Sequence, residues 1–262
     1  MLEEKIIKTG LGTFKISLRA PKENPLVVFL SGAGQFDTYE TFENVIDLLP
    51  ESFGILAVDY LNTGHSGKAV MDYSMRQEAA AIAKMVNDQD TEKVILVAHS
   101  IGGVYALLMT DQIENLTRFV GIEPTTREIV LDPPSTPGYE AEDSDQTQQQ
   151  MEDWLHDHVR KEFVPQQAAK IWQTFEASIA RLDETDGARL QQVMNGAPWD
   201  DKKLKLPETL ASTIITESYR VEEMNRSEFM TTNSHSKIIM AGTYHYIHWE
   251  NPEVIAKAIA EL

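Results

Sequence analysis

Four short apolar runs, residues 26–30, 54–58, 94–97 and 118–122, constrain the fold of this chain more than any other feature. They do not alternate between apolar and polar side chains, so each has to be covered on both faces, as the strands of a parallel sheet are. Between them lie helical patterns. Ser74 heads a capping box with Gln77, and Met75, Ala79, Ile82 and Val86 then share one helix face. The alternation predicts an α/β fold, with a mostly parallel central sheet and helices on both faces. Upstream, alternating segments at 6–8 and 13–18 flank Gly10-Leu11-Gly12 and predict an antiparallel hairpin.

The pattern stops after Glu123. Pro133-Pro134, Pro137-Gly138 and the acidic run at 140–145 predict a surface loop. Two amphipathic helices follow, one with Met151, Trp154, Leu155 and Val159 on a stripe, the other with Ala168, Ile171, Trp172, Phe175, Ile179 and Leu182. A third, shorter helix carries Leu190, Val193 and Met194. The parallel-sheet pattern then resumes with a strand at 212–216, a helix at 221–230, a strand at 237–241 and a final helix at 252–262. This divides the chain into a core, residues 1–126 and 207–262, and a helical cap inserted over 127–206.

With 23 basic and 41 acidic residues, the formal charge of −18 repels phosphate backbones, which argues against a nucleic-acid partner. No apolar run approaches the roughly 20 residues that span a bilayer, so no membrane insertion is expected. The start, Met1-Leu2-Glu3-Glu4-Lys5, has acids where a signal peptide has a basic region. Without cysteine no disulfide forms, in keeping with a reducing compartment. The expectation is a soluble cytoplasmic protein, monomer or homodimer, whose partner is a small molecule.

The run at 94–97 leads into Ala98-His99-Ser100-Ile101-Gly102, which puts a hydroxyl at the tip of a strand-to-helix turn. The spacing is that of the G-x-S-x-G nucleophile elbow, with Ala98 in the first glycine position. Small residues are wanted two positions either side because the turn is tight, and the following helix aims N–H groups at whatever the serine attacks. A serine hydroxyl needs a base within hydrogen-bond reach, itself oriented by a third group. His245 and His248 lie in the loop after the last strand, at the sheet edge shared with Ser100. A metal reading of this pair is weak, since H-x-x-H lacks metalloprotease spacing and a third ligand.

At these residues the chain resembles the α/β-hydrolase fold family, over nearly all its length apart from the insertion. Gly242, His245, Glu250 and Pro252 match the family's G-x-x-H-x-x-x-x-E-x-P register, which implies His245 as general base with His248 in reserve. Residues 59–66 are similar to its D-x-x-G-x-G-x-S loop, with Asn62 in place of the first glycine, and Ser31 stands where histidine usually precedes the oxyanion loop. The resemblance implies oxyanion donors in the backbone N–H groups of Ala33 and Ile101. It also implies an acid about three residues after the strand at 212–216, where this chain reads Glu217-Ser218-Tyr219-Arg220. Some members take the acid after the preceding strand, and there stands Glu123. Glu123 is thus the first candidate, with Glu217 and Glu222 as alternatives.

The implied activity is that of a cofactor-independent serine hydrolase, of carboxylic-ester-hydrolase type, cleaving an ester, thioester or amide of a small, partly apolar substrate. The alternative is a ligand-binding or signalling protein on the same scaffold with little turnover. His99 and His65 are expected to orient loops, and His156 and His158 to face solvent.

Overall fold

The computed structural model describes residues 2–21, 25–134, 148–201 and 203–261; of the expected surface loop, Pro137-Gly138 and the acidic run at 140–145 lie outside them. Among the described residues eight strands form one sheet: β1 (Glu3–Lys8), β2 (Thr13–Arg19), β3 (Leu26–Leu30), β4 (Gly54–Val58), β5 (Val94–His99), β6 (Leu116–Ile122), β7 (Ala211–Thr216) and β8 (Lys237–Met240). Their order is β1-β2-β4-β3-β5-β6-β7-β8. β1 pairs antiparallel with β2, as the hairpin signal predicts; β2 also pairs antiparallel with β4, and every other pairing is parallel.

Because side chains alternate across a strand, the apolar runs feed both faces. Val28, Leu30, Leu96 and Ala98 join one core with Ile82 and Val86 of α2 (Met75–Asn87) and with α3 (Gly102–Met109). Val27, Phe29, Ile95 and Val97 join the other with Phe42 and Val45 of α1 (Thr38–Ile46). The capping box at Ser74 is present, the hydroxyl accepting from Gln77 N and the Gln77 side chain from the N-cap N–H.

Between β6 and β7 stand α4 (Arg127–Leu131), α5 (Gln148–Glu162), α6 (Pro165–Arg181) and α7 (Glu184–Asn195). Leu155, Val159, Ile171 and Phe175 of α5 and α6 bury their stripes in a third cluster with Phe36 and Trp249. After β7, a 3-10 turn (Ser218–Arg220) leads into α8 (Val221–Arg226). That helix ends four residues before its pattern predicts, because the Ser227 hydroxyl donates to the Met224 carbonyl and accepts from Phe229 N, turning the chain. The expected loop after β8 contains a further short helix, α9 (Ile247–Glu250), ahead of α10 (Pro252–Ala260). None of the helices in the described residues is long and apolar enough to cross a membrane.

β3 has β4 on one side and β5 on the other, so successive connections leave it in opposite directions. A crevice opens at that reversal, beyond the carboxyl ends of the strands. The loops after β3, β5, β6 and β8 meet there.

Candidate active site

Ser100 follows β5 directly and has φ of +52°, a left-handed conformation that costs a non-glycine residue roughly 1–3 kcal/mol. Its neighbours hold it. Ser100 N donates to the Ile122 carbonyl (3.1 Å), and Thr125 N donates to the Ser100 carbonyl (3.0 Å). A Cβ on Gly102 would lie 2.6 Å from the Leu30 carbonyl oxygen and 2.7 Å from that of Ser31, so the position two after the serine has no room for a side chain. On Gly32 it would come within 2.6 Å of His99 Nδ1 and 3.1 Å of Ser100 Cβ, which packs the loop after β3 onto the turn.

Ala33 and Ile101 line the same groove as Ser100, a cavity of about 440 Å³ that also takes in Thr125 and one face of α7. Thr125 was not singled out by its sequence; its hydroxyl lies 3.5 Å from Ser100 Oγ, a position reached because Glu123-Pro124 turns the chain back beneath the serine.

Glu123, the first residue past β6, is wholly buried and left-handed, with φ of +45°. Its Oε1 accepts from Thr216 Oγ1 and from Glu217 N, both at 2.6 Å. Its Oε2 accepts from Arg220 Nη1 at 2.5 Å and lies 3.9 Å from His245 Nδ1, an ion-pair distance but longer than a hydrogen bond. Among the described residues, the ion pairs of His245 thus include Glu123, of the three glutamates weighed. Glu217 contributes its backbone N–H to that carboxylate, and Glu222 is exposed in the first turn of α8.

Arg220 fills the slot where the resemblance implied an acid. Buried to 1% exposure, it is clasped on its other edge by Glu223, Nε to Oε2 at 2.9 Å and Nη2 to Oε1 at 2.8 Å, and it donates to the Pro124 carbonyl. Glu223 also accepts from the Thr126 hydroxyl. A lone buried carboxylate would be costly, and the guanidinium with its five N–H donors answers two of them.

The His245 side chain is one-third exposed, at 32%, while His99 and His248 are buried. Partial desolvation and the Arg220 charge pull the His245 imidazole down to about 4, so it is neutral at pH 7 and able to accept a proton. His99 Nε2 sits 3.0 Å from the His245 carbonyl and pins that stretch of backbone. Desolvation and the neighbouring His245 hold His99 well below its ordinary value.

His248 stacks on Phe42 with ring centroids 4.4 Å apart, inside α9, and among the described residues its Nδ1, like that of His245, has no hydrogen-bond partner. Burial, then His99 and His245, depress its pKa well below 6.5. The folded form therefore stays neutral while the unfolded chain takes up a proton below about pH 6.5, and stability drains at up to ~1.4 kcal/mol per pH unit. Replacing it with leucine removes that uptake. Urea denaturation at pH 7 and pH 5 is expected to show the stability of His248→Leu relative to wild type improving by about 2 kcal/mol on acidification.

The remaining features of the resemblance act as braces. Asn62 holds φ of +66°, which asparagine tolerates better than most residues, and its Oδ1 accepts from Ala69 N at 3.0 Å. Ser31 Oγ accepts from Thr38 Oγ1 at 3.1 Å. His65 N donates to Asp59 Oδ2, and its Nε2 lies 3.3 Å from Thr174 Oγ1 on α6, so this ring ties the loop after β4 to the inserted helices. His158, expected to face solvent, is half-buried and packs against Trp154 and Tyr244, with centroids 4.0 and 4.4 Å away; aromatic surface on the loop after β8 covers that side of α5. Among the described residues, Asp37, Glu40 and His65 offer ligand atoms within 4.8 Å of one another. Lys15 Nζ pairs with Asp37 and Lys170 Nζ lies 3.3 Å from Glu40, so ammonium groups already answer both carboxylates.

A family model described as the alpha/beta hydrolase family matches residues 27–258. The crystal structure of a protein from the cariogenic pathogen Streptococcus mutans superposes with a TM-score of 0.84 at 28% identity, covering 99% of this chain and 96% of that one. A Haemophilus influenzae protein provisionally named an esterase/lipase is 23% identical over 250 residues, 90% of this chain and 82% of that one. An uncharacterised Mycobacterium tuberculosis protein is 29% identical over 103 residues, 39% of this chain, so the match spans only 30% of that relative's length.

Proposed function

The chain belongs to the alpha/beta hydrolase family, and on that premise we propose that it is a serine hydrolase acting on an ester, thioester or amide of a small, partly apolar molecule. The observation that carries this reading is the left-handed Ser100 at the tip of β5, held in a costly conformation beside a groove. Strain of this kind persists where the surroundings enforce it, and a nucleophile elbow is its best-understood use.

In the proposed reaction Ser100 Oγ attacks the substrate carbonyl carbon while its proton passes to His245 Nε2. The carbonyl π electrons move onto oxygen, where the N–H groups of Ala33 and Ile101 stabilise the charge; one such donor is worth roughly 3–4 kcal/mol in well-studied enzymes. The bond to the leaving group breaks, and His245 returns the proton to it. Water then attacks the acyl-serine, His245 again taking and returning the proton, and the acid departs with Ser100 restored. Glu123 fixes the imidazole so that Nδ1 carries hydrogen and Nε2 accepts. The 3.9 Å gap between them has to close as substrate binds, as catalytic contacts do in many enzymes.

Residues 127–206 serve as the cap, α7 forming the wall of the groove opposite the oxyanion loop. The absence of cysteine supports a cytoplasmic site of action. The second reading, a binding protein with little turnover, draws support from Glu123, whose oxygens already receive Thr216, Glu217 and Arg220. A fluorophosphonate probe separates the two. Wild type is expected to label covalently and Ser100→Ala not to; tight ligand binding by an unlabelled wild type would replace the enzyme with a receptor.

A further inference from the structure

The groove beside Ser100 has two sides. One is the loop after β3, with Ala33, Gly34 and Gln35; the other is α7, which presents Gly187, Leu190, Gln191, Met194 and Asn195. Those five positions are spaced three and four apart, so they form one helix face. Its composition is unusual for a chain with a formal charge of −18, because among the described residues none that lines the groove carries a charge. The charges of α7 are turned elsewhere. Asp186 pairs with Lys68 at 2.5 Å, and Arg189 donates to Asp72 at 3.0 Å and to the Ala69 carbonyl at 3.3 Å. What faces Ser100 is apolar surface from Leu190 and Met194 with the amides of Gln35, Gln191 and Asn195. Gln191 Nε2 donates to Asn195 Oδ1 at 3.0 Å, and Gln35 Oε1 accepts from Ser178 of α6 at 2.7 Å, which holds these amides in place.

Gly187 lies inside α7, where glycine is the poorest helix former after proline. Nothing local demands it. Its φ is not left-handed, and an added Cβ would meet no heavy atom of the described residues within 4 Å. Glycine at this point therefore serves neither the backbone nor close packing, and what its missing side chain leaves is room at the wall of the groove.

We propose that this face of α7 selects the substrate: it admits an uncharged ester, thioester or amide, and the gap at Gly187 sets how long a substituent on the carbonyl or on the leaving group can be accommodated. The inference rests on the serine-hydrolase reading and deepens it. A carboxylate placed there would leave water for a wall whose described residues include no cation, inside a field that repels anions. A neutral chain of several carbons would lie against Leu190 and Met194 and extend past residue 187.

The test uses the whole chain and two ester series, p-nitrophenyl acetate to octanoate for the acyl side and ethyl to octyl acetate for the leaving group, with p-nitrophenyl hemisuccinate as an anionic counterpart of the butyrate. Wild type is expected to prefer butyrate over hemisuccinate at least tenfold in kcat/KM. Gly187→Leu is expected to lower the long-to-short ratio of kcat/KM at least tenfold in one of the two series. Gly187→Ala is expected to lower it by a smaller factor while raising the melting temperature, since alanine improves the helix. Opposite signs for stability and long-chain turnover are what a merely structural glycine cannot give. Unchanged ratios in both series for a well-folded Gly187→Leu, or equal use of the hemisuccinate, would overturn the inference and leave the enzyme standing. If wild type shows no turnover that Ser100→Ala abolishes, the hydrolase reading falls and takes this one with it.

Discussion

His245→Ala is expected to lower kcat/KM for an activated ester at least ~1000-fold, the scale on which a member of a cooperating triad is lost, whereas His248→Leu is expected to stay within about threefold of wild type. The two rings are three residues apart, and their surroundings differ in kind. His245 is one-third exposed, and its Nδ1 lies at ion-pair distance from the Glu123 carboxylate. His248 is buried on Phe42; among the described residues neither ring's Nδ1 makes a hydrogen bond, so exposure and the nearby Glu123 carboxylate are what set His245 apart. The proposed base needs both access and an orienting carboxylate, and His245 has the exposure and, at 3.9 Å, a carboxylate that has to close on it as substrate binds. Steady-state kinetics on both variants, with circular dichroism to establish folding, decides the matter; a large loss in His248→Leu with none in His245→Ala would move the base three residues along and refute the register.

Most of the frame was legible because buried parallel strands leave an unambiguous mark. The runs at 26–30 and 54–58 coincide with β3 and β4, and the elbow at 98–102 carried its own steric reason, which the Leu30 and Ser31 carbonyls supply. The helix α1 carried a signal that went unread, Asp37-Thr38-Tyr39-Glu40, where the Asp37 side chain accepts from Glu40 N at the helix start. Arg220 was harder. Its partner Glu123 is 97 positions away, and one arginine after a strand gives no local sign that it will be buried. The clue lay in the exchange of charges: with an acid expected after β7 and an arginine found there, the acid after β6 gains a cation that can hold it. Contacts between the loop after β4 and α6, such as His65 with Thr174, join segments 109 residues apart and follow no periodic rule.

Glu123→Gln is expected to cost about 10³- to 10⁴-fold in kcat, with Glu217→Gln and Glu222→Gln close to wild type, because an amide at 123 no longer enforces the tautomer with hydrogen on Nδ1. Its side-chain oxygen can still accept from Thr216 and Glu217, and Arg220 keeps both contacts to Glu223, but the new amide NH2 faces Arg220 Nη1 and a buried ion pair is lost, so circular dichroism has to accompany the kinetics. Arg220 itself works on His245 in the other direction, since its charge, after desolvation, lowers the imidazole to about 4. A general base acts when neutral, so kcat/KM is expected to persist at pH 5 and to fall as pH drops through that value. Arg220→Gln removes the cation but not the desolvation, which lowers the imidazole more, so the acid limb should move upward part of the way toward 6.5. Two buried carboxylates lose their cation in that variant, which costs about 3–5 kcal/mol, so the profile has to be taken at low temperature with the folded fraction monitored. A wild-type limb already at 6.5, or one that Arg220→Gln leaves in place, would separate the guanidinium from the chemistry and make the Glu123–Arg220–Glu223 cluster a brace of the fold alone.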